Sequence, residues 1–134
     1  STEERVFQLR SFLILEVDET ATQTAIEALL KLQRDDGGWS QLPEMTSDAY
    51  ATGTVLVALL RSDQITADHR AVRQGIQYLL NTQQPDGSWH VTTRAKPFQT
   101  YFETGYPHSK DQFISVTASS WATVALLLTL PKDK

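Results

Sequence analysis

Cysteine is absent from this 134-residue chain, which excludes disulfides, thiol nucleophiles and Cys-ligated zinc. No stretch approaches the roughly 18 consecutive apolar residues that suggest a membrane span, so none is expected. Basic residues do not dominate. The 12 Lys and Arg against 16 Asp and Glu leave a net charge of −4, and a nucleic-acid footprint would be basic. The opening Ser1-Thr2-Glu3-Glu4 is no signal peptide and runs straight into a helical pattern, which suits a fragment of a longer protein. What is present is an ordinary apolar supply, 40% of the chain, enough for one folded domain over 1–134.

One signature occurs twice, 50 residues apart. The first copy is Gln33-Arg34-Asp35-Asp36-Gly37-Gly38-Trp39, the second Gln83-Gln84-Pro85-Asp86-Gly87-Ser88-Trp89. Gln33, Asp36, Gly37 and Trp39 recur as Gln83, Asp86, Gly87 and Trp89. A period of this length marks repeated helical hairpins. The spacing predicts helices at about 3–17, 21–33, 48–61, 66–82 and 111–130. Thr20 or Thr22 is the expected cap of the second, Ser47 or Asp48 of the third, Thr66 of the fourth, and Asp111 or Ser115 of the fifth. Val6, Leu9, Leu13 and Ile14 make the apolar stripe of the first, widened by Phe7 and Phe12. The fifth is apolar nearly all round, so burial on most sides is expected.

Repeat 1 then covers about 21–62 and repeat 2 about 67–130. Matching Ala51-Thr52 with Ala122-Thr123 gives repeat 2 an insertion of 21 residues, lying within 90–111. Its Phe98, Tyr101, Phe102 and Tyr106 argue for packing across the helix ends.

A Gln-x-x-Asp-Gly-x-Trp turn between helices resembles the QW repeat of squalene–hopene and oxidosqualene cyclases, and more loosely the terpenoid cyclase and protein prenyltransferase families. Ser47 to Gly53, Arg94 to Gln99 and Asp111 to Ser115 also resemble an uncharacterised bacterial group of squalene-cyclase-like repeat proteins. The resemblance implies an all-α fold, a partial α/α toroid of helical-hairpin repeats with about five main helices. Helices two and four would be outer, three and five inner. The physical logic of the turn fits a structural role. Gln33 and Gln83 would donate to carbonyls at the outer-helix ends and accept an N–H of the next helix. Trp39 and Trp89 would fill the wedge, with their N–H groups on carbonyls.

The chemistry of the relatives is not matched by residues here. The resemblance would call for an Asp-x-Asp-Asp acid, and the sequence contains none. The prenyltransferase zinc set needs a cysteine. No metal ligand set or cofactor is therefore assigned. A polar group remains as the candidate ligand site: Asp48, Tyr50, His90, Arg94, His108 and Asp111, expected to meet at one mouth of the ring. Arg94 and Lys96 would face Asp48 or Asp111. Asp48 and Asp111 also suit helix caps. His69 reads as an exposed residue of the fourth helix. The chain reads as a repeat domain for ligand binding or scaffolding rather than an enzyme in itself. One alternative is a cyclase-like or carbohydrate-active segment with its acid elsewhere in a longer chain, another a structural protein-interaction module. As a partial ring, the domain should expose apolar flanks that either self-associate or meet missing repeats.

Overall fold

Apolar residues at helical spacing, punctuated by Asp-Gly turns, form five helices in the computed structural model, which describes residues 1–96 and 100–131. They are α1 (Thr2–Ile14), α2 (Glu19–Leu30), α3 (Ala49–Leu60), α4 (Arg70–Thr82) and α5 (Gln112–Leu128). A 3-10 turn, Ser109–Asp111, leads into α5. The described residues contain no strand. The fold is all-α, a partial α/α toroid.

Local chemistry sets the helix ends, not always where the sequence pointed. α2 starts earlier than expected because Asp18 caps it, accepting from the Ala21 N–H at 3.0 Å, in place of Thr20 or Thr22. Asp48 caps α3 through the Ala51 N–H at 2.9 Å. α4 begins at Arg70 rather than Thr66, because His69 Nδ1 accepts the Ala71 N–H. His69 is thus a half-buried cap rather than a freely exposed residue. Asp111 makes no side-chain cap on α5, since its carboxylate is engaged elsewhere.

α3 is the central element, with ten of its 12 residues buried. It packs against α1, α4 and, most extensively, α5. α1, α3 and α5 form the inner layer; α2 lies against α1 and α4 against α3 and α5. α3 meets α5 closely at Gly53, where a Cβ would come within 2.9 Å of the Ala122 backbone nitrogen. Any side chain there would wedge α3 from α5.

The two turns share most of their bonds. Gly37 and Gly87 both hold φ of 84°, a left-handed conformation that glycine adopts without strain. Asp36 and Asp86 each accept from an N–H two residues on, at 2.9 Å. The Trp39 indole donates to Leu29 O and the Trp89 indole to Leu79 O, both at 2.8 Å. Each Trp backbone N–H donates to an inner-helix hydroxyl, Thr52 for Trp39 and Ser119 for Trp89. That last pair corrects the repeat alignment. Thr52 corresponds to Ser119 rather than Thr123, so the insertion is 17 residues, one helical turn shorter than expected. Gln33 also departs from expectation. The preceding helix ends at Leu30, so Gln33 lies beyond it and donates twice, to Gly37 O and to Ala71 O of α4, each at 2.8 Å. Gln83 donates to Gly87 O.

The apolar faces of the two terminal helices are partly open. Val6 and Leu9 are buried, whereas Phe7 and Ile14 are 54% and 78% exposed. They line the free side of the inner layer, an exposed apolar flank of the kind expected of a partial ring. α5 is not covered on most sides: Phe113, Val116, Leu127 and Leu130 are all exposed.

Candidate functional site

The insertion is pinned back over the inner-helix N-termini. The Val91 N–H donates to Ser115 Oγ, the Tyr106 hydroxyl to Ser119 Oγ, and the Gln112 amide to Phe102 O and Tyr101 Oη. Phe98, expected in this packing, lies outside the described residues with its neighbours Pro97 and Gln99.

The six candidate residues fall into two networks rather than one mouth. The first holds Asp48, Tyr50 and Arg94. Arg94 Nε donates to Gln41 Oε1 at 2.9 Å, and Gln41 Nε2 donates to Asp48 Oδ2 at 3.0 Å. Arg94 lies 3.8 Å from Glu3, whose other oxygen accepts the Tyr50 hydroxyl at 2.8 Å. Arg94 therefore does not meet Asp48 or Asp111 directly; the buried Gln41 stands between Arg94 and Asp48. Burial pushes the Asp48 carboxyl above its usual value, against its hydrogen bonds from Ala51 and Gln41. Burial and Glu3 together push the Tyr50 hydroxyl up to about 12, which keeps it a donor.

The second network holds His90, His108 and Asp111. His90 Nε2 is 2.8 Å from Asp111 Oδ2, and Asp111 Oδ1 accepts the Thr93 N–H. Burial acts to raise the Asp111 pKa, but the bonds from Thr93 and His90 outweigh it and hold the carboxyl below its usual range. The His90 and His108 rings stack with centroids 4.7 Å apart. His108 Nε2 is 2.7 Å from Ser88 Oγ, which donates to Asp86 at 2.6 Å. A hydroxyl has one proton. With that proton on Asp86, the Ser88 oxygen is left to accept from His108 Nε2. His108 has φ of 82°, a left-handed conformation held by its stack and its serine contact. Among the described residues, no group of three or more His, Asp or Glu is arranged to hold a metal.

Two cavities flank these networks. One of about 320 Å³ is lined by Asp48, His90, Tyr78 and Trp89 among others. The other, about 420 Å³, joins Glu3, Tyr50 and Arg94 to an apolar wall of Phe113, Ile114 and Thr117. His108 and Asp111 line neither.

The sequence reading missed what lies below the second cavity. The Arg10 guanidinium sits 5.7 Å from the Phe7 ring centroid and 5.3 Å from that of Trp121 on α5. α1 and α5 thus approach each other over the free side of α3, making a concave face. A separate cavity of about 220 Å³ is lined by Arg10, Leu13, Ile14, Val57, Ala58 and Arg61. The signal was available: Glu3, Phe7, Arg10 and Ile14 follow one another at helical spacing.

Duplicated Gln-to-Trp turns, inner and outer helices and a concave inner face define a QW-type α/α repeat domain. The sequence profile of the squalene–hopene cyclase C-terminal domain matches residues 3–123, and the chain belongs to that family. It is 30% identical over 101 residues to the squalene–hopene cyclase of Bradyrhizobium diazoefficiens, covering 67% of this chain and 14% of that protein. It is 29% identical over 94 residues to the probable squalene–hopene cyclase of Sinorhizobium fredii, covering 62% of this chain and 13% of that protein.

Proposed function

We propose that the domain binds an apolar ligand carrying a small neutral polar head along the concave face between α1 and α5. The observation that supports this reading is Arg10 between Phe7 and Trp121, with one cavity beside Tyr50 and Arg94 and another beside Arg10, Ile14 and Val57. Phe7, Ile14, Val57 and Trp121 would hold the apolar body. The head would lie by Tyr50 and Arg94. Arg94 is already partnered by Glu3 and Gln41, so a hydroxyl suits that end better than an anion. The related cyclases are named for squalene, a hydrocarbon, which supports an apolar ligand class. With no Asp-x-Asp-Asp in the sequence, the reading is of binding rather than acid-initiated cyclisation.

Farnesol, an isoprenoid alcohol, is a suitable probe. It should raise the melting temperature of the wild type in a saturable way, as any ligand of the native state does. Ile14→Glu, a change at an exposed position, should abolish that response. No response from the wild type, or an equal one from Ile14→Glu, overturns the reading.

The mutual bonding of Arg94, Gln41 and Asp48 also favours a scaffolding role for that network. Arg94→Ala should then lower stability by about 1–3 kcal/mol, because it leaves the buried Gln41 oxygen without its donor. An unchanged urea midpoint would remove that role.

A further inference from the structure

We propose that the cleft between the two repeats binds a small organic cation, whose primary ammonium group sits between Asp48 and Tyr78. The cleft is the cavity of about 320 Å³ beside Asp48 and His90. Its walls are residues 45–49, the C-terminal half of α4 with Gln84, and residues 89–92 after the second Trp turn. Both repeats contribute, so the cleft is internal to the pair rather than the open seat of a further repeat. None of its lining residues belongs to α1 or α5, which makes it independent of the concave face.

Charge selects the ligand. Among the described residues, Asp48 is the one acid that lines the cleft, and no Lys or Arg lines it. The Asp48 carboxylate accepts from two neutral donors, the Ala51 N–H and the Gln41 amide, and Arg94 reaches it only through Gln41. Burial raises its pKa, because those neutral donors do not fully replace water. An ammonium group would supply the missing counter-charge. Tyr78 packs on the first turn, where a Cβ at Gly38 would come within 3.0 Å of its ring. Its hydroxyl has no hydrogen-bond partner among the described residues, and burial, followed by the charges of Asp36 and Asp48, pushes it up to about 12. It is thus a neutral, idle oxygen in the field of two carboxylates. An ammonium has three N–H donors. Asp48 and Tyr78 take two. The third suits His90: with Asp111 ionised, His90 Nε2 carries the proton between them, and the neutral ring offers Nδ1 as an acceptor. The Tyr78 and Trp89 rings give the cation aromatic walls.

The equivalent cleft of the first repeat has the opposite sign. Between the start of α1, the end of α2 and the residues after Trp39, a cavity of about 360 Å³ is lined by Arg5, Lys31 and Arg34 and by no acid. At the offset of 50, Arg34 corresponds to Gln84 and Ser40 to His90. The acidic character therefore belongs to the second cleft in particular and is not a consequence of the repeat.

Butylammonium chloride is the probe, with butanol and butyrate as neutral and anionic controls of the same chain length. In protein labelled with 5-fluorotryptophan, butylammonium should move the Trp89 fluorine resonance saturably and leave that of Trp121 in place. Neither control should do so at the same concentration. Tyr78→Phe removes only a hydroxyl without a partner, so the melting temperature should be unchanged while the dissociation constant rises roughly tenfold. Asp48→Asn keeps an oxygen for the Ala51 N–H and should abolish binding. Tyr78→Phe decides the matter should Asp48→Asn loosen the fold. A Trp89 signal that does not move, butanol binding as well as butylammonium, or either variant retaining the wild-type dissociation constant would each overturn the proposal.

Discussion

Gln33 and Gln83 occupy the same place in the repeat but not the same environment. Gln33 ties its own turn to α4, while Gln83 donates within its turn only. At about 0.5–1.5 kcal/mol per hydrogen bond, Gln33→Ala should cost roughly twice what Gln83→Ala costs in urea unfolding. Equal costs would mean that the Ala71 bond contributes nothing. The glycines differ more. Both need a left-handed backbone, so alanine strains each by about 1 kcal/mol. Gly37→Ala also collides with the Gln74 backbone and should be far the worse. The tryptophans are alike, at 0% and 2% exposure. Trp89→Ala should cost about 3–5 kcal/mol, against well under ~1 kcal/mol for the exposed Asp35→Ala. The pH behaviour of Asp111 follows from its lowered pKa. Its carboxylate stabilises the fold above the ordinary value of 3.8, and that contribution is lost as pH falls through the lower folded value. The difference in melting temperature between wild type and Asp111→Asn should therefore be full near about pH 6 and shrink on acidification below 3.8. A difference that grows on acidification would contradict it.

At the scale of elements, the duplicated Gln, Asp, Gly and Trp spacing made the helix–turn–helix order legible, because the Gln and Asp side chains each close the same short turn at both copies. The helix starts were less legible. Asp18 and His69 compete with nearby threonines for the same caps, and only the folded backbone decides. The offset between inner helices was read one turn too long, because an Ala-Thr pair recurs on α5 at the wrong turn and the hydroxyl that meets Trp89 belongs to Ser119. The partners of Arg94 were hidden for a related reason. Gln41 and Glu3 lie far from it in sequence, and no local pattern announces that a glutamine will relay between an arginine and an aspartate.

At the scale of the molecule, the chain spans 14% and 13% of the length of its two cyclase relatives. It nevertheless carries a central buried helix, two complete Trp turns and one concave face. Phe7 and Ile14 belong to the apolar stripe of α1, and with Arg10, which bridges to Trp121 of α5, they lie on the free side of the inner layer. That bridge is the basis of the functional proposal, and one residue reports on it. The chain has three tryptophans, of which Trp39 and Trp89 are buried and Trp121 faces the groove. Fluorine NMR of 5-fluorotryptophan-labelled protein, assigned by single Trp→Phe variants, reads all three at once. Titration with farnesol should move the Trp121 resonance saturably and leave Trp39 and Trp89 in place; a Trp121 signal that does not move, or three signals that move together, would contradict a ligand site on the concave face.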